Sequence, residues 1–392
     1  MGNLSDSARA AIADRRPTWA EIDLEALAAN FQIVKEKVGL DVSVMAVVKA
    51  DAYGHDAVAC AQRLEQAGAN WFGVALPEEG IELRQAGITE PILCLAGFWG
   101  EQASACLQQQ LVPVVYRLDM IEAFDRAAGE RNIVADVHVK IDTGMGRLGV
   151  RFDEIADFAD ALKRFEHIRV DGLMTHFAAA DEPSCGPLTH DQIQRFENAV
   201  AAFQARGFVP TYRHLANSAA VFGQPAARGN MVRPGGVLYG LWRDILAPED
   251  RDVSLRPVMS LHSRITLLKW VPEGETVGYG CTFEASRKTL VATIPIGYDD
   301  GYMRALSNRG HAIIRGVYAT VIGRISMDLT LIDVTNVPDV EVDDEVTLIG
   351  REAELSITAE ELGRTAGTLS YEITCGIGDR VPRFYRSGAA TS

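Results

Sequence analysis

Five side chains, far apart in a chain of 392 residues, stand at the ends of apolar segments, where an ordinary core has no need of them. Lys49 closes the run SVMAVV, Arg147 lies in KIDTGMGRLG, His176 ends LMTH, Ser218 follows HLAN and Arg233 sits in MVRPGG. A lysine carried to the end of a buried strand is desolvated, which disfavours its charged form and makes the amine a nucleophile. The chemistry this suggests is Schiff-base formation with a carbonyl group. Were that carbonyl part of a phosphorylated cofactor, the phosphate would need donors. Ser218 and the backbone N–H groups of Gly235 and Gly236 suit that role, because glycine lets the backbone come close. Taken singly, each residue has an ordinary alternative. A strand-end lysine snorkels to solvent, a histidine after a strand hydrogen-bonds locally, and the two arginines form ion pairs. Ser218 then caps a helix starting near Ala219, and the glycines only permit a tight turn. Gathered at one place, the five are harder to assign to such roles.

The elements that would gather them are legible in the pattern. From about Ser43 to Leu241, short β-rich apolar runs alternate with helical segments. The runs are SVMAVVK, WFGVAL, PILCLA, LVPVVY, VADVHVKID, VDGLMTH, TYRHLA and MVRPGGVLYG. Among the helical segments, HDAVACAQRLEQAG ends on glycine, PEEGIELRQAG opens with proline, and LTHDQIQRFENAVAAFQARG repeats its apolar residues at helical spacing. Eight β-α units in succession predict a parallel (β/α)8 barrel, whose active site is built at the C-terminal strand ends. No G-x-G-x-x-G follows the first strand, which argues against dinucleotide binding. After about Arg243 the runs MSLHSRITLLKWV, TLVATIPIGY, HAIIRGVYATVIGRIS, LTLIDVT and DEVTLIG are strand-like, and only TAEELGRTAG looks helical. The expected division is a barrel over 21–243 and a mainly-β domain over 244–392, with residues 1–20 packing on the latter.

Bulk properties narrow the function. A net charge of −15 disfavours nonspecific nucleic-acid or anionic-membrane binding, and 47% hydrophobic with 23% charged residues is the composition of a soluble globular protein. No run reaches the roughly 20 apolar residues that span a bilayer. The N-terminus lacks the apolar stretch of a secretory signal, and Asp6 breaks the myristoylation pattern. Six scattered cysteines without C-x-x-C or metal spacing predict free thiols in a reducing cytoplasm.

At this point the motifs become specific. AVVKADAYGHDA resembles the pyridoxal-phosphate attachment segment of the alanine racemase family. VKIDTGMGRLG, THFAAADE, ANSAA, VRPGGVLYG, GYGCTFEA, IPIGYDDGY, GRISMDL, LSYEI and RVPRFY resemble that family's other segments in the same order, from about Pro17 to Phe384. The resemblance implies an eight-stranded barrel, a C-terminal β domain, and a head-to-tail homodimer whose active sites are each completed by the partner's β domain. It implies that Lys49 carries pyridoxal 5'-phosphate as a Schiff base and that Tyr53, Ser218, Gly235, Gly236 and Tyr371 bind the phosphate. Arg147, with the backbone of the partner subunit's Met327, would hold the substrate carboxylate. Lys140 matches a lysine that is carbamylated in many members; its alternative is an unmodified lysine paired with Asp142.

Racemisation needs one base on each face of the α-carbon. The resemblance assigns Lys49 to one face and the partner subunit's Tyr279 to the other. A tyrosine, with an ordinary pKa of about 10, needs help to act as a base. Its helper would be His176, hydrogen-bonded to it and to Arg233. Arg233 would face the pyridine nitrogen, where many such enzymes place a carboxylate; an arginine cannot accept that proton, so the nitrogen stays neutral and reprotonation at the α-carbon is favoured over transamination. The implied activity is interconversion of L- and D-alanine, supplying D-alanine for peptidoglycan. Its rivals are a broader amino-acid racemase accepting serine, with Tyr371 narrowing the pocket against it, and a fold-related amino-acid decarboxylase, which carries glutamate in place of Arg233. A cofactor-binding regulator would lack the β domain. Two positions depart from the family: Ser326 stands where cysteine is common, and Gly236 where a bulkier residue is common.

Overall fold

The ten strands from the start of the described region, residues 16–386 of a computed structural model, are β1 (Thr18–Asp23), β2 (Ser43–Val47), β3 (Trp71–Val74), β4 (Ile92–Cys94), β5 (Leu111–Val115), β6 (Ala135–Asp142), β7 (Val150–Arg151), β8 (Ile168–Met174), β9 (Tyr212–His214) and β10 (Met231–Val232). Eight of them, in the order β10-β2-β3-β4-β5-β6-β8-β9, form one all-parallel sheet that curls into a nearly closed barrel, and the short β7 pairs with β6. Between β9 and β10 the seam is held by Asn230 N–H donating to Arg213 O (3.2 Å) and Arg233 N–H to Ala216 O (2.9 Å).

Strand alternation divides the barrel core in two. Met45, Trp71, Leu93, Val114, Met174 and Met231, one from each of six strands, make a cluster of their own. Their neighbours, such as Val44 and Ala46, join the larger core beneath the helices. The helices pack outside: Ala57–Gln66, Pro77–Gln85, Gln102–Gln108, Leu118–Gly129, Ile155–Leu162, Gly186–Gln204 and Ser218–Gly223 follow successive strands. The Asp56 and Asn217 side chains accept from the N–H groups of Ala59 and Ala220, closing off open helix donors.

The second layer is a ten-stranded sheet built from Met259–Arg264, Leu267–Val271, Thr289–Ile294, His311–Ile314, Val317–Ile322, Thr330–Asp333, Glu345–Glu352, Leu355–Ile357 and Arg383–Arg386, joined by β1. β1 pairs antiparallel with Met259–Arg264 (Trp19 opposite His262) and parallel with Arg383–Arg386 (Glu21 opposite Phe384). It runs across residue 20, where the sequence suggested a boundary, while residues 1–15 of that expected segment lie outside the described region.

Two local expectations are corrected, and one alternative is set aside. The last barrel run makes ladder pairs only at Met231–Val232. Pro234 has no N–H to give a ladder, and the chain turns at Gly235 into a 3-10 turn over Gly236–Tyr239. A second short helix, Ser370–Cys375, follows Ala359–Ala366; six residues are too few to show a helical period. Asn217, rather than Ser218, caps the helix that follows β9. All six cysteines are unpaired, and among the described residues no helix is long and apolar enough to cross a membrane.

Candidate active site

Strand β2 ends at Val47, and Lys49 opens the next turn rather than closing the strand. That turn is left-handed: Ala50, Asp51, Ala52 and Tyr53 have φ between 51 and 58°, and Gly54 follows at 84°. A left-handed backbone costs roughly 1–2 kcal/mol per L-residue, about 4–8 kcal/mol for four, so the surroundings must hold it. Several contacts do. Ala50 N–H donates to Glu79 Oε1 (2.8 Å), Ala57 N–H to Asp51 Oδ1 (2.7 Å), and Arg383 Nη2 to Gly54 O (3.2 Å). Helix Ser370–Cys375 packs so closely that a Cβ at Gly54 would lie 2.8 Å from the Thr374 carbonyl carbon and 3.2 Å from Cys375 Cα.

The turn delivers Lys49 into a cavity of about 610 Å3 at the C-terminal ends of the barrel strands. Lys140, Arg147, His176, Ser218, Arg233 and Gly235 line it from the following strands and loops, and Tyr53 and Tyr371 close it. The sequence-predicted set therefore converges, with three exceptions. Gly236 lies just behind the wall, against Tyr371. Tyr279 and Met327 are not in the cavity: they are 72% and 51% exposed on the β domain. A larger cavity of about 780 Å3, where Tyr239, Met259 and Arg386 meet between the barrel and the sheet, holds none of the predicted residues.

Four cationic side chains share the cavity, and burial with their charges depresses the two lysines. Burial, then Arg147, holds the Lys49 amine below the ordinary lysine range. Lys140 is only 5% exposed; burial, with Arg233, Arg147 and Lys49 around it, lowers it to about 7. The alternative weighed for Lys140, an ion pair with Asp142, is not formed among the described residues; Asp142 Oδ1 accepts from the N–H groups of Gly144 and Gly146 at 3.0 Å each. Of the two carboxylates at the rim, Asp244 is engaged with the Ser370 N–H (2.8 Å) and hydroxyl (2.9 Å).

Arg233 is buried and gives its protons to carbonyls: Nη1 to His214 O (2.7 Å), Nη2 to Thr175 O (2.6 Å) and Leu215 O (3.2 Å). Burial lowers it to about 9, still cationic at neutral pH. Because guanidinium only donates, the ring nitrogens facing it must accept: His214 Nδ1 at 3.0 Å and His176 Nδ1 at 3.4 Å. The protons then sit on the far nitrogens. His214 Nε2 donates to His138 Nδ1 (2.9 Å), and His138 Nε2–H has no partner among the described residues. Burial, then Arg233, keeps all three imidazoles neutral, His138 being lowered to about 3. Sequence reasoning missed His138 and His214. The only available signal was a histidine at an inward position of each strand. It also missed Glu79, quoted only as part of the helical segment PEEGIELRQAG, and Cys375, which lines the cavity beside Lys49.

The opposite wall suits a phosphate. Ser218 Oγ accepts from Gly235 N–H (2.9 Å), and the Tyr53 ring lies 5.3 Å from Tyr371 and 5.0 Å from Tyr239. A Cβ at Gly235 would collide with the Tyr53 hydroxyl and come 3.0 Å from its Cζ, so the cradle exists only with glycine there. Donors on one wall and cations on the other fit a doubly anionic ligand with a carbonyl for the lysine. Pyridoxal phosphate has that form.

Family profiles described as alanine racemase N-terminal domain and alanine racemase C-terminal domain match residues 22–242 and 258–385. An alanine racemase of Geobacter sulfurreducens is 45% identical over 95% of this chain and 98% of its own length. One of Halothermothrix orenii is 43% identical over 95% and 97%. The crystal structure of alanine racemase from Streptomyces lavendulae superposes with a TM-score of 0.89 at 34% identity, covering 96% of this chain and 98% of that one. That from Bacillus anthracis, with bound L-Ala-P, gives 0.88 at 32%, covering 95% and 96%.

Proposed function

The chain belongs to the alanine racemase family, and from that premise we propose which residues carry out the reaction. The activity is interconversion of L- and D-alanine by a pyridoxal-phosphate-dependent isomerase. The observation that carries the residue assignment is the convergence of Lys49, Lys140, Arg147 and Arg233 on one cavity opposite the Tyr53–Ser218–Gly235–Tyr371 cradle.

Pyridoxal phosphate, when bound, supplies the electron sink that acidifies the substrate α-carbon proton. Lys49 would hold it covalently, and its lowered pKa increases the share of neutral amine able to attack and later to move a proton at one face of the α-carbon. Tyr53, Ser218, Gly235, Gly236 and Tyr371 would bind the phosphate. Arg147, exposed at the mouth, would pair with the substrate carboxylate. Arg233 would face the pyridine nitrogen, and its committed donors and charge prevent it from taking a proton there. Lys140, neutral in part near pH 7, is suited to react with carbon dioxide. The carbamate formed would replace a cation beside Arg147 with an anion able to fix its guanidinium.

The other face needs a second base, and Tyr279 of the same chain is not in the cavity. Tyr279 fits if it comes from a partner. Tyr298, Met327 and Leu329 are also exposed, and Tyr298 N–H donates to Ser326 O (3.0 Å), so Tyr298 and Met327 lie in adjoining loops. Such apolar side chains on one domain suit an interface with a second copy. His176, with Nδ1 accepting from Arg233, presents its Nε2–H as a donor, which would stabilise the phenolate form of the partner subunit's Tyr279. A cytoplasmic location is consistent with six unpaired cysteines, and the product D-alanine would serve peptidoglycan synthesis. The test is incubation with L-alanine in deuterated water. D-Alanine carrying deuterium at the α-carbon is expected; neither product nor label, with cofactor bound, would sink the reading.

A further inference from the structure

Gly236 does not owe its identity to the backbone. Its φ is not positive, it opens a 3-10 turn, and glycine gains nothing there over alanine. What it lacks is room. A Cβ at 236 would collide with Tyr371 Cε1, lie 2.6 Å from the Tyr371 hydroxyl and 2.9 Å from Ile245 Cδ1. Ile245 presents the tip of a flexible side chain and can turn aside. The Tyr371 ring cannot retreat as easily, because Asp244 accepts from both the N–H and the hydroxyl of Ser370, fixing the start of the helix that carries Tyr371. On its other side the ring meets Tyr53, centroids 5.3 Å apart.

We infer that Gly236 is a positioning residue for Tyr371: the missing side chain is the space into which the ring settles, bringing its hydroxyl to the loop that binds the cofactor phosphate. This rests on the reading of Tyr371 as a phosphate contact. In this chain, where the Tyr371 ring fills the place a side chain at 236 would take, adding one displaces the ring, and Gly236 thereby sets cofactor affinity without itself needing to change its N–H.

The test compares wild type, Gly236→Ala, Tyr371→Ala and the double variant, measuring the dissociation constant of pyridoxal phosphate by its absorbance on dilution of the holoenzyme, with melting temperatures beside it. Gly236→Ala is expected to weaken retention about tenfold or more, as for loss of one hydrogen bond to a charged group. Added to Tyr371→Ala, it should have no further effect. Unchanged affinity in Gly236→Ala, or the same loss in both backgrounds, overturns the inference. Tyr371→Ala with wild-type affinity would instead overturn the assignment of Tyr371 to the phosphate. If Gly236→Ala is too unstable to purify, the double variant, freed of the ring, is expected to recover; equal instability in both would also overturn it.

Discussion

Lys49, Lys140, Arg147 and Arg233 would repel one another in any cavity that held nothing, so the charge is itself a statement about the ligand. Burial makes the conflict sharpest at Lys140. Its folded amine binds a proton only below about 7, whereas an unfolded lysine does so below about 10.4. Between those values the unfolded chain holds more protons, so stability falls as pH drops through the window and levels off below the folded value. Lys140→Met should therefore stabilise the protein in bicarbonate-free buffer, more at pH 7 than at pH 10, while lowering turnover; urea melts at both pH values would show it. No stabilisation at pH 7 would mean that the amine is already neutralised, and labelled bicarbonate would reveal whether as a carbamate. At Tyr279 the expectation concerns chemistry alone. Removing its hydroxyl in Tyr279→Phe should keep cofactor absorbance and reduce turnover about 100-fold or more, the usual worth of a general base. Full activity would exclude it as the second base.

The left-handed turn after β2 is the element on which the lysine depends, and part of its support comes from the far end of the chain. Gly54 meets the Thr374 backbone at a φ of 84°, which an alanine tolerates poorly even without a collision. Gly54→Ala should lower stability by about 2 kcal/mol or more and loosen the cofactor; a wild-type denaturation midpoint would show that the packing there yields. Arg383→Ala removes the donor to Gly54 O and is expected to cost about 1–3 kcal/mol, read in the same denaturation curves. None of this was legible beforehand. AVVKADAYG contains no mark of a left-handed run except its final glycine, because most of the contacts that hold it come from Glu79 and residues 374–383. The eight barrel strands were readable, since each repeats an apolar signature of its own, and Lys49, Arg147, His176, Ser218 and Arg233 could be placed from the strand ends they follow. What escaped was decided by non-local partners: the Arg233–His214–His138 chain, the Glu79 anchor, and the short helix bearing Tyr371.

For the whole molecule, the separation of Tyr279 from Lys49 makes a quantitative demand. Mixed subunits carrying Lys49→Ala and Tyr279→Phe, each inactive alone, would restore one intact site per heterodimer, about a quarter of all sites after random exchange. No recovered activity after subunit exchange would show that Tyr279 serves its own chain or none. Sedimentation should find a dimer, and Tyr298→Asp should weaken it. The pairing of β1 with Met259–Arg264 and Arg383–Arg386 has a different consequence, for the order of synthesis. Among the described strands β1 is made before the barrel, yet its partners emerge only after the whole barrel. It must wait unpaired, and the folded barrel is what brings Ile22 back opposite Met259, sparing the long loop closure an open chain would face. The β sheet is thus a late guest in a house the barrel has to build first, and a mutation that slows the barrel should leave the first strand exposed to the wrong partner.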